Sequence, residues 1–357
     1  MTQPLVSLLV PIYNVERYLR ECLDSARNQT LRDIEVICIN DGSKDSSRDI
    51  IQEYLDSDER FRVIDKPNSG YGASMNMGLD AARGKYVGIL ESDDFFEPDA
   101  LELLHNACEQ NNADAAKANF WFYWSAPEPR NEFFEIVTPE IANTVIDTQR
   151  VHDLFYKKNS IWSCLYRRDL LNDNGIRFLE TPGASYQDAA FDFKVWACAR
   201  RVACVGQAII HYRQDNEASS VNSPSKVYCV CDEYEEMDRF LDSRPEKKAA
   251  LKSVEEKMKY DSYMWNYDRL TPELAGEFID RFAEEFRRDT DAGFVDLSLF
   301  EPWKQEDLAC IMRSPRAYHA WRCGRPEDSA FKRLMLLVNA KGWGSAVSAL
   351  RNRFSRR

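Results

Sequence analysis

The stretch Tyr86-Val-Gly-Ile-Leu-Glu-Ser-Asp-Asp94 decides how the first half of the chain is read. Tyr86 to Leu90 is an apolar run of strand length. It ends in three carboxylates within four residues, Glu91, Asp93 and Asp94. Burying that much like charge is costly without a partner. At the carboxyl end of a parallel strand, however, such a cluster faces the crevice where α/β folds hold ligands. A hard divalent cation, which prefers oxygen ligands, would be its partner. An acidic turn capping the next helix is the competing reading.

Strand and helix patterns alternate on both sides of this tip. Leu5–Val10, Ile34–Ile39 and Phe61–Ile64 read as strands, and Val15–Asn28, a segment from Lys44 and Ala73–Ala82 as helices. Ala100–Cys108 is a further helix, with Pro98 at its start. The alternation implies a mostly parallel sheet with right-handed crossovers. Beyond residue 113 the rhythm changes. Ala115–Trp124, Phe133–Val137, Trp162–Tyr166, Val202–Val205 and Ala208–Tyr212 read as strands, and Thr148–Lys157 and Gln187–Ala199 as helices. Val227–Leu241, Lys247–Tyr267 and Pro272–Arg288 are helical. The expected units are 1–220 (a nucleotide-binding half, 1–113, and an acceptor half, 114–220), a helical region 221–330 and a basic tail 331–357.

Composition narrows the class. The chain has 357 residues, 44% hydrophobic, with a formal net charge of -12, so its surface as a whole repels nucleic acid. No apolar run approaches a membrane span, and the N-terminus lacks the basic start of a signal peptide. The ten cysteines mostly sit among apolar residues, which fits reduced thiols in the cytoplasm. Residues 331–357 carry seven basic and no acidic side chains among apolar ones. Such an end lies on the anionic inner face of a plasma membrane, or docks on the acidic body of its own chain.

The strand ends carry polar groups into one crevice: Tyr13 and Asn14, then Asp41, then the acidic tip. Tyr13 suits a nucleobase face and Asp41 a base or ribose donor. A cation on Asp93 would bridge phosphates. Neither the glycine-rich dinucleotide turn nor a P-loop is present; Pro11-Ile-Tyr-Asn-Val-Glu16 stands at the first position.

Val6-Ser-Leu-Leu-Val-Pro-Ile-Tyr-Asn14, Asn40-Asp-Gly-Ser-Lys-Asp45, Asn68-Ser-Gly-Tyr-Gly72 and Glu91-Ser-Asp-Asp94 resemble, in order, the motifs of the family 2 inverting glycosyltransferases. The resemblance is strong over residues 4 to 125. It continues more weakly through Gln187-Asp-Ala-Ala-Phe191 and His211-Tyr-Arg213. It implies the GT-A fold, a nucleotide-sugar-binding α/β sandwich with a mostly parallel central sheet, here followed by a helical C-terminal region. It implies transfer of a sugar from a nucleoside diphosphate-sugar, a UDP-sugar being favoured, to a hydroxyl of a glycan or lipid-linked acceptor, with Mn²⁺ or Mg²⁺ as cofactor.

By the same resemblance Asp41 binds the nucleobase beside Pro11 and Tyr13. Asn14, Asn68, Gly70 and Ser92 are donor contacts. Asp93 is the metal-binding aspartate and Asp188 the general base. Three residues depart from the family pattern: Glu91 replaces the first aspartate of D-x-D, Gln187 replaces a glutamate, and Met75 stands where relatives have arginine. Asp188 has a second reading as a helix N-cap. His211 is read as a third metal ligand or an ordinary strand-end histidine, and Arg213 as a diphosphate contact. Trp162, Tyr166, Tyr186 and Trp196 form a candidate acceptor platform. Two other classes stay in view. A nucleotidyltransferase would need the missing glycine loop, and a nucleotide-sugar-binding scaffold would bind without turnover.

Overall fold

The computed structural model describes residues 3–216, 226–324 and 329–354. It has two compact units, Met1–Asn222 and Ser223–Arg357. The expected boundary at 220 lies outside the described residues.

The first unit begins with β1 (Val6–Ile12), α1 (Glu16–Arg27), β2 (Ile34–Asn40), α2 (Ser47–Ser57), β3 (Phe61–Asp65), α3 (Tyr71–Ala81) and β4 (Tyr86–Ile89). Every residue of β1, β2 and β4 is buried, as expected for parallel strands covered on both faces. After them come β5 (Phe95–Phe96), α4 (Ala100–Asn111), β6 (Ala115–Trp124), β7 (Arg130–Phe134), β8 (Val145–Ile146), β9 (Cys164–Arg167), α5 (Arg168–Asp173), α6 (Gln187–Cys198) and β10 (Val202–Arg213).

The sheet runs β3-β2-β1-β4-β9-β6-β10-β5, with β7 on β6 and β8 on β10. β1 pairs in parallel with both neighbours, Val6 opposite Ile34 and Tyr86. β9 enters antiparallel between β4 and β6, and β10 then runs parallel to β6. The six strands β1–β4, β6 and β10 therefore point the same way. Their carboxyl ends share one edge, which is where the polar motifs fall.

Two expected elements differ. Thr148–Lys157 is no helix: a single 3-10 turn forms at Asp153–Tyr156. The Thr148 hydroxyl donates to the Trp196 and Ala199 carbonyls at 2.8 and 2.6 Å. The two short strands of 202–212 are one strand, β10, with register shifts on either side of Ala208.

The second unit is helical: α7 (Cys229–Asp242), α8 (Pro245–Arg269), α9 (Pro272–Asp291), α10 (Pro302–Arg313), α11 (Pro315–Arg322) and α12 (Ala330–Phe354). Proline opens α8 to α11, where its missing N–H costs nothing. α8 carries buried charge as well as apolar residues. Lys252 pairs with Asp238, Glu255 and Glu256 at 2.5, 2.6 and 2.8 Å. Lys259 pairs with Glu285 and Asp289 at 3.1 and 2.8 Å.

The start of the basic tail is not a separate arm. Arg313 donates to the Ala340 carbonyl at 2.6 Å. Lys341 pairs with Asp307 and lies 4.7 Å from the centre of the Trp321 ring. This is the docked arrangement for that part of the tail. α12 breaks at Gly342, whose φ is 82°. Residues 355–357 lie outside the described residues. No helix among the described residues is long and apolar enough to cross a membrane.

Candidate active site

Asp41 follows β2 and is buried. Its carboxylate accepts from the Ser69 and Gly70 backbone N–H groups at 2.8 and 3.0 Å, and from the Lys66 ammonium. The side chain expected to meet a nucleobase thus also shapes the loop at 66–70. Pro11 is a buried residue of β1, opposite Ile39. Tyr13 is 49% exposed, its ring open for stacking. Asn14 has φ 50° and accepts the Lys44 N–H at 2.8 Å. Asn68 is exposed at the loop tip. Gly70 has φ 93°, where a Cβ would also stand 2.8 Å from the Thr181 carbonyl oxygen. Glycine is required there on both counts.

The acidic tip separates into three roles. Glu91 accepts the Tyr71 hydroxyl at 2.6 Å. Burial pushes its carboxyl up to about 8; the Tyr71 bond opposes this, and Asp93 and Asp188 add to it. Asp93 accepts from the Asn216 amide at 2.8 Å on one oxygen. Asp94 is 1% exposed. One of its oxygens takes the Arg213 backbone N–H at 2.8 Å, and the other has no partner. Burial first, then Asp93, holds the Asp94 carboxyl well above the usual range. Ser92 lies half-buried between them.

Two residues expected to meet the ligand have protein partners here. Both ring nitrogens of His211 are engaged, with Asn131 and Glu97, each at 2.9 Å, and the ring stacks on Phe95. Both nitrogens therefore already have protein partners. Arg213 is held by Glu21 at 2.5 Å, donates to the Asp93 carbonyl at 2.8 Å and lies between the rings of Tyr18 and Tyr123. It braces the tip from behind instead of offering a free fork to a diphosphate.

Asp188 sits in the first turn of α6. Burial raises its carboxyl, while the Lys158 ammonium and the N–H groups of Asp188 and Ala189 pull it back. Both the N-terminal and the catalytic readings are therefore compatible. Its charge is felt at Glu91 and at Tyr71, so α6 brings it to the acidic tip. Tyr212 feels Asp94, Asp93, Asp188 and Glu91 together. It stacks on Trp162 at 4.9 Å, and Lys158 lies 5.3 Å from its ring centre.

Three of the four residues of the candidate aromatic platform, Trp162, Tyr166 and Trp196, are core residues, at most 5% exposed, and only Tyr186 is half-buried. Lys66, Tyr71, Lys158 and Asn216 were missed as site residues. Tyr71 lies inside the motif Asn68-Ser-Gly-Tyr-Gly72, whereas nothing local marks Lys158 or Asn216, which join the site through partners distant in sequence.

Among the described residues no three His, Cys, Asp or Glu side chains form a cluster suited to a metal ion. A magnesium-like ion, however, is commonly held by one or two carboxylates plus substrate phosphates. Asp93 accepts from Asn216 on one oxygen, Asp94 has an orphaned oxygen, and burial, then neighbouring like charge, raises Glu91 and Asp94. That donor set fits a hard cation completed by a diphosphate.

The comparisons with known proteins agree with this layout. EpsH of Bacillus subtilis (strain 168) is 38% identical over 220 residues, covering 60% of this chain and 62% of that protein. EpsJ of the same organism is 34% identical over 223 residues, covering 59% and 62%. Both carry glycosyltransferase names. This chain thus spans a little over three-fifths of each. The crystal structure of S. aureus TarS 1-349 in complex with UDP-GlcNAc matches with a TM-score of 0.57 at 18% identity, over 87% of this chain and 91% of that one. The UDP complex matches with a TM-score of 0.57 at 21% identity, over 90% and 93%. These structures share the GT-A arrangement of the central sheet. Residues 7–171, a little under half of the chain, match the family model described as Glycosyl transferase family 2.

Proposed function

We propose that this chain is a metal-dependent, inverting glycosyltransferase that moves a sugar from a UDP-sugar to a hydroxyl of a glycan or lipid-linked acceptor in bacterial polysaccharide synthesis. The observation that carries this reading is electrostatic. Glu91 and Asp93, after β4, and Asp188, nearly a hundred residues on, lie close enough for Asp93 and Asp188 to act on Glu91 and for all three to act on Tyr212. The family match and the UDP and UDP-GlcNAc complexes of the similar fold support it.

Each residue then has a task. The loop braced by Asp41 receives the nucleoside, with Tyr13 free to stack on the base. Asp93, aided by Glu91, would hold Mn²⁺ or Mg²⁺, which as a Lewis acid stabilises charge on a departing diphosphate. Arg213 and Asn216 fix Asp93 from its carbonyl and carboxyl sides. Asp188 takes the proton of the acceptor hydroxyl as that oxygen attacks the anomeric carbon. Attack from the side opposite the leaving group inverts the centre in one displacement. Lys158 favours the ionised form of Asp188 that this task needs.

The test is a thermal-shift screen of nucleoside diphosphates and sugar nucleotides with and without Mn²⁺. A ligand of the folded state raises the melting temperature by mass action. UDP and one UDP-sugar should stand out, and only with Mn²⁺. A flat response across the panel would remove the donor reading.

A further inference from the structure

The loop expected to hold the donor and the segment that leads into Asp188 are built as one docked body. From the donor side, Asp41 holds the Ser69 and Gly70 N–H groups. The next N–H, of Tyr71, donates to the Gly183 carbonyl at 2.9 Å. Asn76, one turn further along α3, donates to the Phe178 carbonyl and the Glu180 carboxylate at 3.0 and 2.9 Å. It also accepts the Phe178 N–H at 2.9 Å. The two backbones touch at Gly72, where a Cβ would stand 2.1 Å from the Leu179 carbonyl oxygen. Only glycine permits that approach.

From the base side, the closing residue is Gln187, which is 2% exposed. Its amide nitrogen donates to the Thr181 hydroxyl at 2.8 Å and to the Gly183 carbonyl at 3.3 Å. Its amide oxygen accepts the Ser185 N–H. Gly183 O therefore receives Tyr71 from one side and Gln187 from the other. Asp188 is the next residue. A carboxylate at 187 has no N–H to donate and would add a buried charge beside Asp188; the neutral amide makes all three bonds.

We propose that Gln187 is a positioning residue that ties Asp188 to the donor loop, so that a nucleoside diphosphate on that loop orders the segment bearing the base. This rests on the donor reading above. Coupling between the two sites requires an element that both bias, and segment 178–187 is that element. Its polar side chains and loop backbone are held by a few hydrogen bonds, so ordering its partner loop tightens it.

Hydrogen exchange with UDP and Mn²⁺ as the probe tests this. In the parent protein UDP should slow exchange at 66–72 and also at 178–188. Gln187→Met keeps the volume and removes the three bonds. It should bind UDP within about threefold of the parent and keep protection at 66–72, while losing most of it at 178–188. Gly72→Ala, which forces the two backbones apart, should give the same loss should the first variant not fold. Protection confined to 66–72 in the parent, or unchanged at 178–188 in the variants, overturns the proposal. If the parent fails to bind UDP at all, the donor reading itself falls and this inference with it.

Discussion

Two clusters of buried and half-buried carboxylates among the described residues are treated differently. In the helical unit, Glu255 and Glu256 of α8, Asp238 of α7, and Glu285 and Asp289 of α9 meet two buried lysines of α8, Lys252 and Lys259. At the tip of β4, Glu91, Asp93 and Asp94 have no such lysine. Arg213, buried beside Asp94, spends its guanidinium on Glu21, Asp215 and a backbone carbonyl. Two lysines meet the first cluster within the fold, although burial and Glu256 still push the Glu255 carboxyl up to about 8. The second is left short of positive charge at the edge where six strand ends meet. A carboxylate cluster that lacks a lysine, at the edge where the polar motifs gather, is where a cation arriving with the ligand would find partners.

The comparison can be broken at several points. Asp93→Asn and Asp188→Asn should each lower sugar transfer by about 10²–10⁴-fold, since each removes a group acting on the reacting atoms. Turnover of a confirmed donor and acceptor, with melting curves as a folding control, checks this. In the lysine-paired cluster the same logic appears as stability. Lys259→Met leaves Asp289 and Glu285 short of their buried partner and should cost about 3–5 kcal/mol in chemical denaturation.

Glu255→Gln should act in the reverse direction. Burial, then Glu256, push the Glu255 carboxyl up to about 8, with Lys252 opposing. A folded value above the unfolded one means that the folded state holds the extra proton. Stability from this group is full below about pH 4.5 and falls as pH rises toward 8. The glutamine variant should flatten that fall and be more stable at pH 8 by roughly 1–3 kcal/mol. Melting temperature against pH, in parent and variant, reads it. The smallest effect lies at the tip. With Glu91 held near 8, a cation that draws it into the ionised form releases its proton. Calorimetry of UDP with Mg²⁺ at pH 7, in buffers of different ionisation heat, should show release of up to about one proton.

Much of the first unit was legible because its signals are local. Apolar runs closed by polar turns mark β1, β2 and β4, and three carboxylates in four residues announce the tip. Asp188 was reachable only through the resemblance, since a first-turn aspartate has an ordinary capping role. What escaped depends on distant partners. His211 looks like a ligand until Glu97 and Asn131 are seen on its two nitrogens. Arg213 looks free until Glu21 and two aromatic rings surround it. Gln187 reads as a weakened glutamate, yet in the fold its amide supplies donors that a carboxylate lacks. The β10 strand reads as two because its register shifts around Ala208 interrupt the alternation.

The central claim is that the β4 tip is a cation site completed by a diphosphate. Titrating Mn²⁺ into the protein with saturating UDP, and following free Mn²⁺ by electron paramagnetic resonance, tests it most directly. The parent should take up one Mn²⁺ with UDP present and much less without it, and Asp93→Asn should lose that uptake while remaining folded. Equal uptake by parent and variant, or uptake indifferent to UDP, would contradict the account.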